Sequence, residues 1–212
     1  AISLTRDLAP DDWAIENGLL DKIENQNIKL SQLIDDLLTL NRLGEQAEPV
    51  QESSIQPVDI ADVITSVSED AQIEADNRHI DIRIHTVSNA IIQGDPRLLT
   101  RAFENILSNA LKYSPEKQPI DINITNLDQR VQVCIGDQGP GIPEACLPHI
   151  FTPFYRVDDA RTEHTGGHGL GLAIVQKIVL QHGGSIQLEN RETGGLCVKV
   201  ELPVSMATAT PL

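Results

Sequence analysis

Residues 104–113 of the chain read E-N-I-L-S-N-A-L-K-Y. Asn105 and Asn109 stand four residues apart, so on a helix they share one face, and Lys112 follows one turn later. Amide oxygens are hard, neutral ligands that suit Mg²⁺, and a nearby lysine suits phosphate. Two asparagines and a lysine are also what an ordinary solvated helix face presents, so this segment alone decides nothing about function.

The surrounding sequence places this segment in an alternation of helices and strands. Gly94-Asp95-Pro96 is a helix start, with aspartate as N-cap and proline in the first turn, and predicts a helix to about Tyr113. Strands are predicted at IDINITNL, RVQVCIGD, SIQLEN and LCVKVELP, and a helix at about 169–182 that stops at Gly183-Gly184. This order indicates an α+β fold with helices on one face of a mixed sheet.

Residues 58–94 extend the same pattern. Asp59 can cap a helix that runs to about Asn77, and the apolar residues expected on one face are Ile60, Val63, Ile64, Val67 and Ile73. HIDIRIHTV then alternates as a strand with Ile80, Ile82 and Ile84 facing inward, and a short strand AIIQ follows.

The first 43 residues differ from the rest in their periodicity. Leu19, Leu33 and Leu40 share one heptad position and Ile23, Leu30 and Leu37 share another, which is the apolar seam of a bundle or coiled-coil helix over 13–43. We therefore expect a helical unit at 1–43, a polar linker at 44–57, a second domain at 58–204 and a tail at 205–212. Such a stripe needs a partner helix, from a preceding segment or a second chain.

Three further motifs follow in the second domain. D-Q-G-P-G-I-P at 137–143 ends a strand, where an aspartate can accept a hydrogen bond from an exocyclic amine and two glycines let the backbone approach a planar base. F-T-P-F-Y-R at 151–156 can anchor a loop and offer an arginine to phosphate. G-G-H-G-L-G-L at 166–172 opens a helix with exposed backbone N–H groups, a natural anion site. Each motif alone is equally compatible with an ordinary turn, core anchor or helix start.

Composition excludes several classes of partner. The net charge of −15 opposes binding to nucleic acid and to anionic membrane surfaces. No apolar run reaches the length of about 18 residues that a membrane span needs. Because the three cysteines are an odd number without a CxxC pair, we expect no disulfide or zinc framework, and Cys134 and Cys197 are expected to be small buried thiols.

Together the four motifs resemble the N, G1, F and G2 boxes of bacterial sensor histidine kinases, in order and spacing over residues 95–175. The helix at 13–43 resembles the second helix of their dimerisation and histidine-phosphotransfer domain. F-Y-R-V-D-D-A-R resembles the class that pairs with OmpR-type response regulators, with a Cpx-type envelope-stress sensor as one candidate. The resemblance implies the Bergerat (GHKL) ATP-binding fold, preceded by that long helix.

The resemblance also implies the ligands and the site. ATP and Mg²⁺ are the expected ligands, with Asn109 holding the metal, Asn105 assisting, and Asp137 binding the adenine amine. The other residues expected to contact the nucleotide are Lys112, Tyr113, Gly139, Gly141, Ile142, Arg156, Gly167, His168, Gly169, Leu170 and Gly171, and residues 155–168 would be the lid over it. His168 departs from the family, which usually has a small hydroxyl residue there.

The resemblance implies transfer of the ATP γ-phosphate to a histidine and then to a response-regulator aspartate. None of the six histidines fits the family's acceptor motif, so we expect the acceptor upstream of Ala1 and little autophosphorylation. A homodimer through the helical hairpin, a response-regulator partner, a cytoplasmic position for this segment and an inner-membrane location for the full protein are implied too. Alternatives are a non-catalytic ATP-sensing module and a chaperone or DNA-repair ATPase of the same fold, which carries a catalytic glutamate where this chain has Asn105.

Overall fold

The computed structural model describes residues 10–44, 54–86, 90–157 and 167–204. The helices are α1 (Pro10–Arg42), α2 (Ile60–Asp70), α3 (Gln72–Asn77), α4 (Pro96–Tyr113) and α5 (Gly171–Gln181). The strands are β1 (Gln56–Asp59), β2 (Ile82–Thr86), β3 (Ile91–Gly94), β4 (Ile120–Leu127), β5 (Arg130–Gly136), β6 (Ser185–Asn190) and β7 (Leu196–Pro203). A 3₁₀ helix spans Glu144–His149. The predicted tail, the start of the chain and most of the predicted lid lie outside the described residues.

A five-stranded mixed sheet organises the second domain. Its order is β2-β4-β5-β7-β6, with β2 parallel to β4 and every other neighbouring pair antiparallel. The predicted alternation is confirmed, since Ile120, Ile122 and Ile124 of β4 are almost fully buried while the residues between them are not. Helices α2, α4 and α5 contact this sheet from its apolar face, so the α+β expectation is confirmed.

Helix α4 begins where the sequence predicts. The Asp95 carboxylate accepts hydrogen bonds from the N–H groups of Arg97 at 2.9 Å and Leu98 at 3.4 Å, and Pro96 occupies the first turn. At the other end, the Arg78 guanidinium donates to the carbonyl oxygens of Leu111 and Ser114. Both ends of the helix are therefore fixed, which holds its Asn105–Lys112 face in place.

Two local predictions are wrong. The helix predicted from Asp59 to Asn77 is interrupted at Ala71, and the interruption rotates Ile73 out of the apolar face, leaving it 77% exposed. No strand is predicted at 56–59, where the linker meets the second domain, yet Gln56–Asp59 pairs antiparallel with Ile91–Gly94 of β3 in a separate two-stranded sheet. That pairing leads the chain into the Asp59 cap of α2, which accepts from Ala61 N–H at 2.9 Å.

One part of the apolar stripe of α1 packs against the second domain, and another part is exposed. Leu40 is buried and Leu33 is half-buried, and both pack against the core of the second domain, where α1 contacts α5. Ile23, Leu30 and Leu37, the other predicted heptad position, are 41–54% exposed. Two polar contacts support the docking: Arg101 with Asp36 at 2.8 Å, and Lys177 with the Leu40 carbonyl at 3.4 Å.

The cysteine prediction is wrong. Cys134 of β5 and Cys197 of β7 form a disulfide, with their Cα atoms 6.3 Å apart, and Cys146 is the free cysteine. The two lie diagonally on adjacent antiparallel strands, because Cys134 faces Lys199 and Cys197 faces Gly136. Among the described residues, no helix is long and apolar enough to cross a membrane.

Candidate nucleotide-binding site

The amide face of α4 lies against the start of α5. Asn105 and Asn109 are half-buried, and the Asn105 side-chain amide donates to the Arg101 carbonyl at 2.8 Å. A Cβ atom at Gly171 would lie 2.7 Å from Oδ1 of Asn105. With glycine at the first residue of α5, the Asn105 side chain lies against the start of the helix, which brings the first and fourth motifs together.

The N-terminus of α5 directly follows the glycine-rich residues of the fourth motif. Leu170 precedes the helix and is buried, and among the described residues no side chain caps the first turn, whose N–H groups have no carbonyl partner within the helix. A Cβ atom at Gly167 would lie 2.6 Å from Nζ of Lys112, which places the lysine ammonium beside the glycine-rich segment. Uncapped N–H groups and an ammonium group together favour an anion at this point.

Asp137 directly follows β5 and is 5% exposed. Its Oδ1 atom accepts hydrogen bonds from the N–H groups of Gly139 at 2.7 Å and Leu196 at 3.1 Å. Both hydrogen bonds that Asp137 accepts from described residues use Oδ1, and none of them uses Oδ2. Burial raises the pKa of Asp137, while the two N–H donors and the nearby Arg191 charge oppose that rise.

The glycines of the second motif allow the backbone to pass close to its neighbours. A Cβ atom at Gly139 would lie 2.7 Å from the carbonyl oxygen of Tyr113, so the loop after β5 contacts the end of α4. Gly141 has φ of +71°, a left-handed conformation that glycine adopts without strain. Ile142, which follows it, is half-buried, and Tyr113 is 49% exposed.

The third motif meets the fourth through the backbone. Phe154, at φ of +67°, donates its N–H to the Gly169 carbonyl at 2.9 Å. A Cβ atom at Gly169 would lie 2.8 Å from the Tyr155 carbonyl oxygen, and Gly169 also has φ of +71°. Arg156 and His168 are exposed beside this junction. Phe103, which precedes the first motif on α4, is a fully buried core residue.

The four motifs, separated by up to about 60 residues in sequence, therefore line one region between α4, α5 and the end of β5. Sequence reasoning missed two residues of this region, Asn190 and Arg191, which contact the loop after β5. No signal in the sequence indicates them, because a polar dipeptide at a strand end is commonplace. Among the described residues, no three His, Cys, Asp or Glu side chains cluster as metal ligands.

Comparison with known proteins agrees with this geometry. Residues 94–206, just over half of the chain, match the family model of histidine kinase-, DNA gyrase B-, and HSP90-like ATPases. Sensor histidine kinase RppB of Synechocystis is 34% identical over 89% of this chain and 41% of its own length. Sensor histidine kinase CpxA of Escherichia coli is 32% identical over 89% of this chain and 40% of its own length.

A solved structure extends the likeness to the long helix. Full-length ShkA in complex with AMPPNP is 26% identical, with a TM-score of 0.75 over 95% of this chain and 40% of that one. The chain thus spans about two-fifths to half of the length of the curated relatives it matches. The expected Bergerat fold and the expected relatives are both found, and the chain belongs to the histidine kinase-, DNA gyrase B- and HSP90-like ATPase family, as the ATPase domain of a sensor histidine kinase.

Proposed function

We propose that this chain binds Mg·ATP and transfers the γ-phosphate to a histidine of a partner helical hairpin, from which a response-regulator aspartate receives it. The observation that carries the proposal is the convergence of the four motifs. Gly171 lies against Asn105, Gly167 against Lys112, and the loop after Asp137 against the end of α4. A relative's structure with AMPPNP, that of ShkA, supports a nucleotide as ligand.

The adenine would bind at the end of β5. The free Oδ2 of Asp137 is suited to accept from the exocyclic amine, since Oδ1 already has two backbone donors. Tyr113 would flank the base, and Gly139, Gly141 and Ile142 would line its pocket. A buried carboxylate fixed by backbone N–H groups favours adenine, whereas guanine presents a carbonyl oxygen at the same position.

The phosphates would lie between α4 and the start of α5. Lys112 and the uncapped N–H groups of α5 supply positive electrostatic potential there. The residues proposed to contact phosphate are Lys112, Arg156, Gly167, His168, Gly169, Leu170 and Gly171. Asn109, with Asn105, would hold Mg²⁺ through amide oxygens; these hard neutral donors fit that ion, which commonly completes its shell with phosphate oxygens and water.

The residues present favour transfer over hydrolysis. An imidazole nitrogen attacks the γ-phosphorus in line, the bond to the β-phosphate bridging oxygen breaks, and ADP leaves. The chain would contribute positioning and charge stabilisation, and Mg²⁺ held by Asn109 and Asn105 would supply positive charge beside the phosphate oxygens. The related ATPases that hydrolyse ATP have a glutamate at the position of Asn105, and an amide cannot accept the proton of an attacking water.

Several partners follow from the same proposal. The exposed Ile23, Leu30 and Leu37 of α1 support a homodimer through a helical bundle. The names of the relatives support two-component signalling with a response regulator, and we place that regulator in the OmpR-type class. We also propose that the full protein resides in the bacterial inner membrane, with this segment on the cytoplasmic side.

Calorimetry with Mg²⁺ and a non-hydrolysable ATP analogue tests the nucleotide site. Asn109→Ala should weaken binding at least about tenfold, an effect of about 1.4 kcal/mol, through loss of a metal ligand. Ser108→Ala, at an exposed position of the same helix, is the matched control and should bind as the wild type does. Equal affinities for Asn109→Ala and the wild type in Mg²⁺ would remove the metal assignment.

A phosphotransfer assay tests the reaction. With γ-labelled ATP, the chain alone should gain little label, because none of its six histidines has the acceptor pattern. Added hairpin carrying the family histidine should gain acid-labile label at a rate first-order in hairpin, and the same hairpin with glutamine there should gain none. Nucleotide binding without any transfer to the hairpin would favour the non-catalytic alternative. Stoichiometric acid-labile label on the chain alone would place the acceptor within it.

A further inference from the structure

Asn190, the last residue of β6, holds the loop that follows Asp137. Its side-chain Oδ1 accepts from the N–H of Ile142 at 2.8 Å, and its Nδ2 donates to the carbonyl of the same residue at 2.7 Å. One side-chain amide thus satisfies both backbone groups of Ile142, as a neighbouring β-strand would. The partners are 48 residues apart in sequence.

The loop needs such support because it contains no regular secondary structure between Asp137 and Pro143. Gly141 turns the chain in a left-handed conformation immediately before Ile142. A Cβ atom at Gly141 would lie 2.5 Å from Oδ1 of Asn190, so the asparagine packs directly on that turn. The conformation of the turn and the position of the amide are therefore mutually dependent.

The residues after Asn190 fix the other end of the same loop. Arg191 donates through Nη1 to the Asp137 carbonyl at 3.0 Å, and its Nη2 lies 3.7 Å from the Asp121 carboxylate. Leu196 donates to Asp137 Oδ1 and accepts from the Asp137 N–H at 2.9 Å. The end of β6, the start of β7 and the connection between them thus contact the loop at two points, Asp137 and Ile142.

We infer that Asn190 is a positioning residue for adenine: it sets the position of the Gly139–Ile142 backbone against the base, and so the affinity for the nucleoside part of the ligand. The inference rests on the proposed nucleotide site, which Asn190 supports without contacting the nucleotide itself. Asn190 should affect binding of the base and not of the phosphates, because its contacts are with the loop after β5. Lys112 and α5, by contrast, belong to the proposed phosphate region.

The test compares two probes and three variants in the full chain. ADP reports on base and phosphates together, and inorganic tripolyphosphate reports on the phosphate region alone. Asn190→Ala should weaken Mg·ADP binding about tenfold, the effect expected for two net hydrogen bonds, and should change tripolyphosphate affinity less than about twofold. Asn190→Asp keeps the acceptor but loses the donor to the Ile142 carbonyl, so its ADP affinity should lie between those of the wild type and Asn190→Ala. Gln187→Ala, exposed on the same strand, is the control and should match the wild type.

Amide hydrogen exchange gives a second reading that does not depend on ligand. The Ile142 amide should exchange faster in Asn190→Ala than in the wild type, while the amides of Val133 and Ile135 in β5 should be unchanged. A wild type that does not bind ADP would overturn the proposed function itself. A wild type that binds, with Asn190→Ala binding ADP equally well, would overturn only the role of Asn190. Two other outcomes would also overturn the inference, because they would show Asn190 to be a general structural residue. One is an equal loss of ADP and tripolyphosphate affinity in Asn190→Ala, and the other is faster amide exchange throughout β5.

Discussion

Asp95, the N-cap of α4, donates its backbone N–H to Nε2 of His182 at 3.0 Å, in a buried contact between residues 87 positions apart. Nδ1 of the same imidazole lies 2.7 Å from the Ile178 carbonyl. These partners define a neutral imidazole in which Nδ1 carries the proton and Nε2 accepts. The contact joins the end of α5 to the start of α4, the two helices that border the proposed phosphate region.

Folding stability should fall in mild acid because of this histidine. Burial lowers the pKa of His182 below its usual value, and the hydrogen bond to Ile178 and the Asp95 charge only partly oppose this. The unfolded chain therefore binds more protons than the folded chain as pH falls below about 6.5, so the unfolding free energy falls with pH from there to the folded pKa. Protonation turns Nε2 into a donor facing another donor, and leaving that N–H unpaired costs about 1–3 kcal/mol.

Urea unfolding between pH 5 and 7.5 measures this effect. His182→Gln should flatten the pH dependence of the unfolding free energy in that range, because an amide does not titrate there. His85→Gln, at an exposed position of β2, should keep the wild-type slope. An identical slope in the wild type and His182→Gln would show that His182 does not bind its proton differently on folding.

The disulfide between Cys134 and Cys197 should contribute to stability. It closes a loop of sequence separation 63, which chain-entropy reasoning converts to about 4 kcal/mol of stabilisation. Reductant, or the double substitution Cys134→Ser and Cys197→Ser, should lower the unfolding free energy by up to that amount. Mass spectrometry after maleimide labelling of denatured, unreduced protein should find one modified cysteine, Cys146; three modified cysteines would contradict the pairing.

Sequence reasoning was most accurate where local chemistry determines structure. Asp95-Pro96 marks the start of α4 within a few residues, because an N-cap and a first-turn proline act on adjacent backbone groups. β4 to β7 form where apolar and polar residues alternate, because this pattern too is a local property of the chain. Ile73 was misplaced because one interrupted turn at Ala71 changes the helical phase, and β1 was missed because a four-residue strand containing Pro57 has no measurable periodicity.

Contacts between distant segments could not be predicted. The pairing of Cys134 with Cys197 depends on β5 and β7 being neighbours, and the two-bond contact of Asn190 with Ile142 depends on the same topology. The motifs predict which side chains carry chemistry because their residue types are unusual together. They say nothing about the ordinary polar residues that fix the loop after β5, since these are recognised only by their partners.

Helix α1 should associate weakly through its exposed stripe. Ile23, Leu30 and Leu37 are uncovered, whereas Leu40 is already buried against the second domain, so half of the predicted seam is available to a second chain. Sedimentation velocity should show association that increases with protein concentration, and Leu30→Glu with Leu37→Glu should abolish it by placing charge in an apolar contact. Gln32→Glu adds charge at an exposed position of the helix and should have little effect; a tight dimer indifferent to the double substitution would place the interface elsewhere.

The final prediction concerns the choice of base. In Asp137→Asn, the side-chain oxygen can still accept from Gly139 and Leu196, so the loop should remain folded, but an NH₂ group replaces the free Oδ2. That group donates where the carboxylate accepted, so it opposes the adenine amine and suits the guanine carbonyl. Competition by GTP relative to ATP should therefore rise by about tenfold or more, given what a single mismatched polar contact is worth. Asp81→Asn, which changes an exposed carboxylate just before β2, provides the control and should keep the wild-type ratio. An ATP/GTP ratio that Asp137→Asn leaves unchanged would mean that another group reads the base, and the Ile142 backbone held by Asn190 would then be the first to examine.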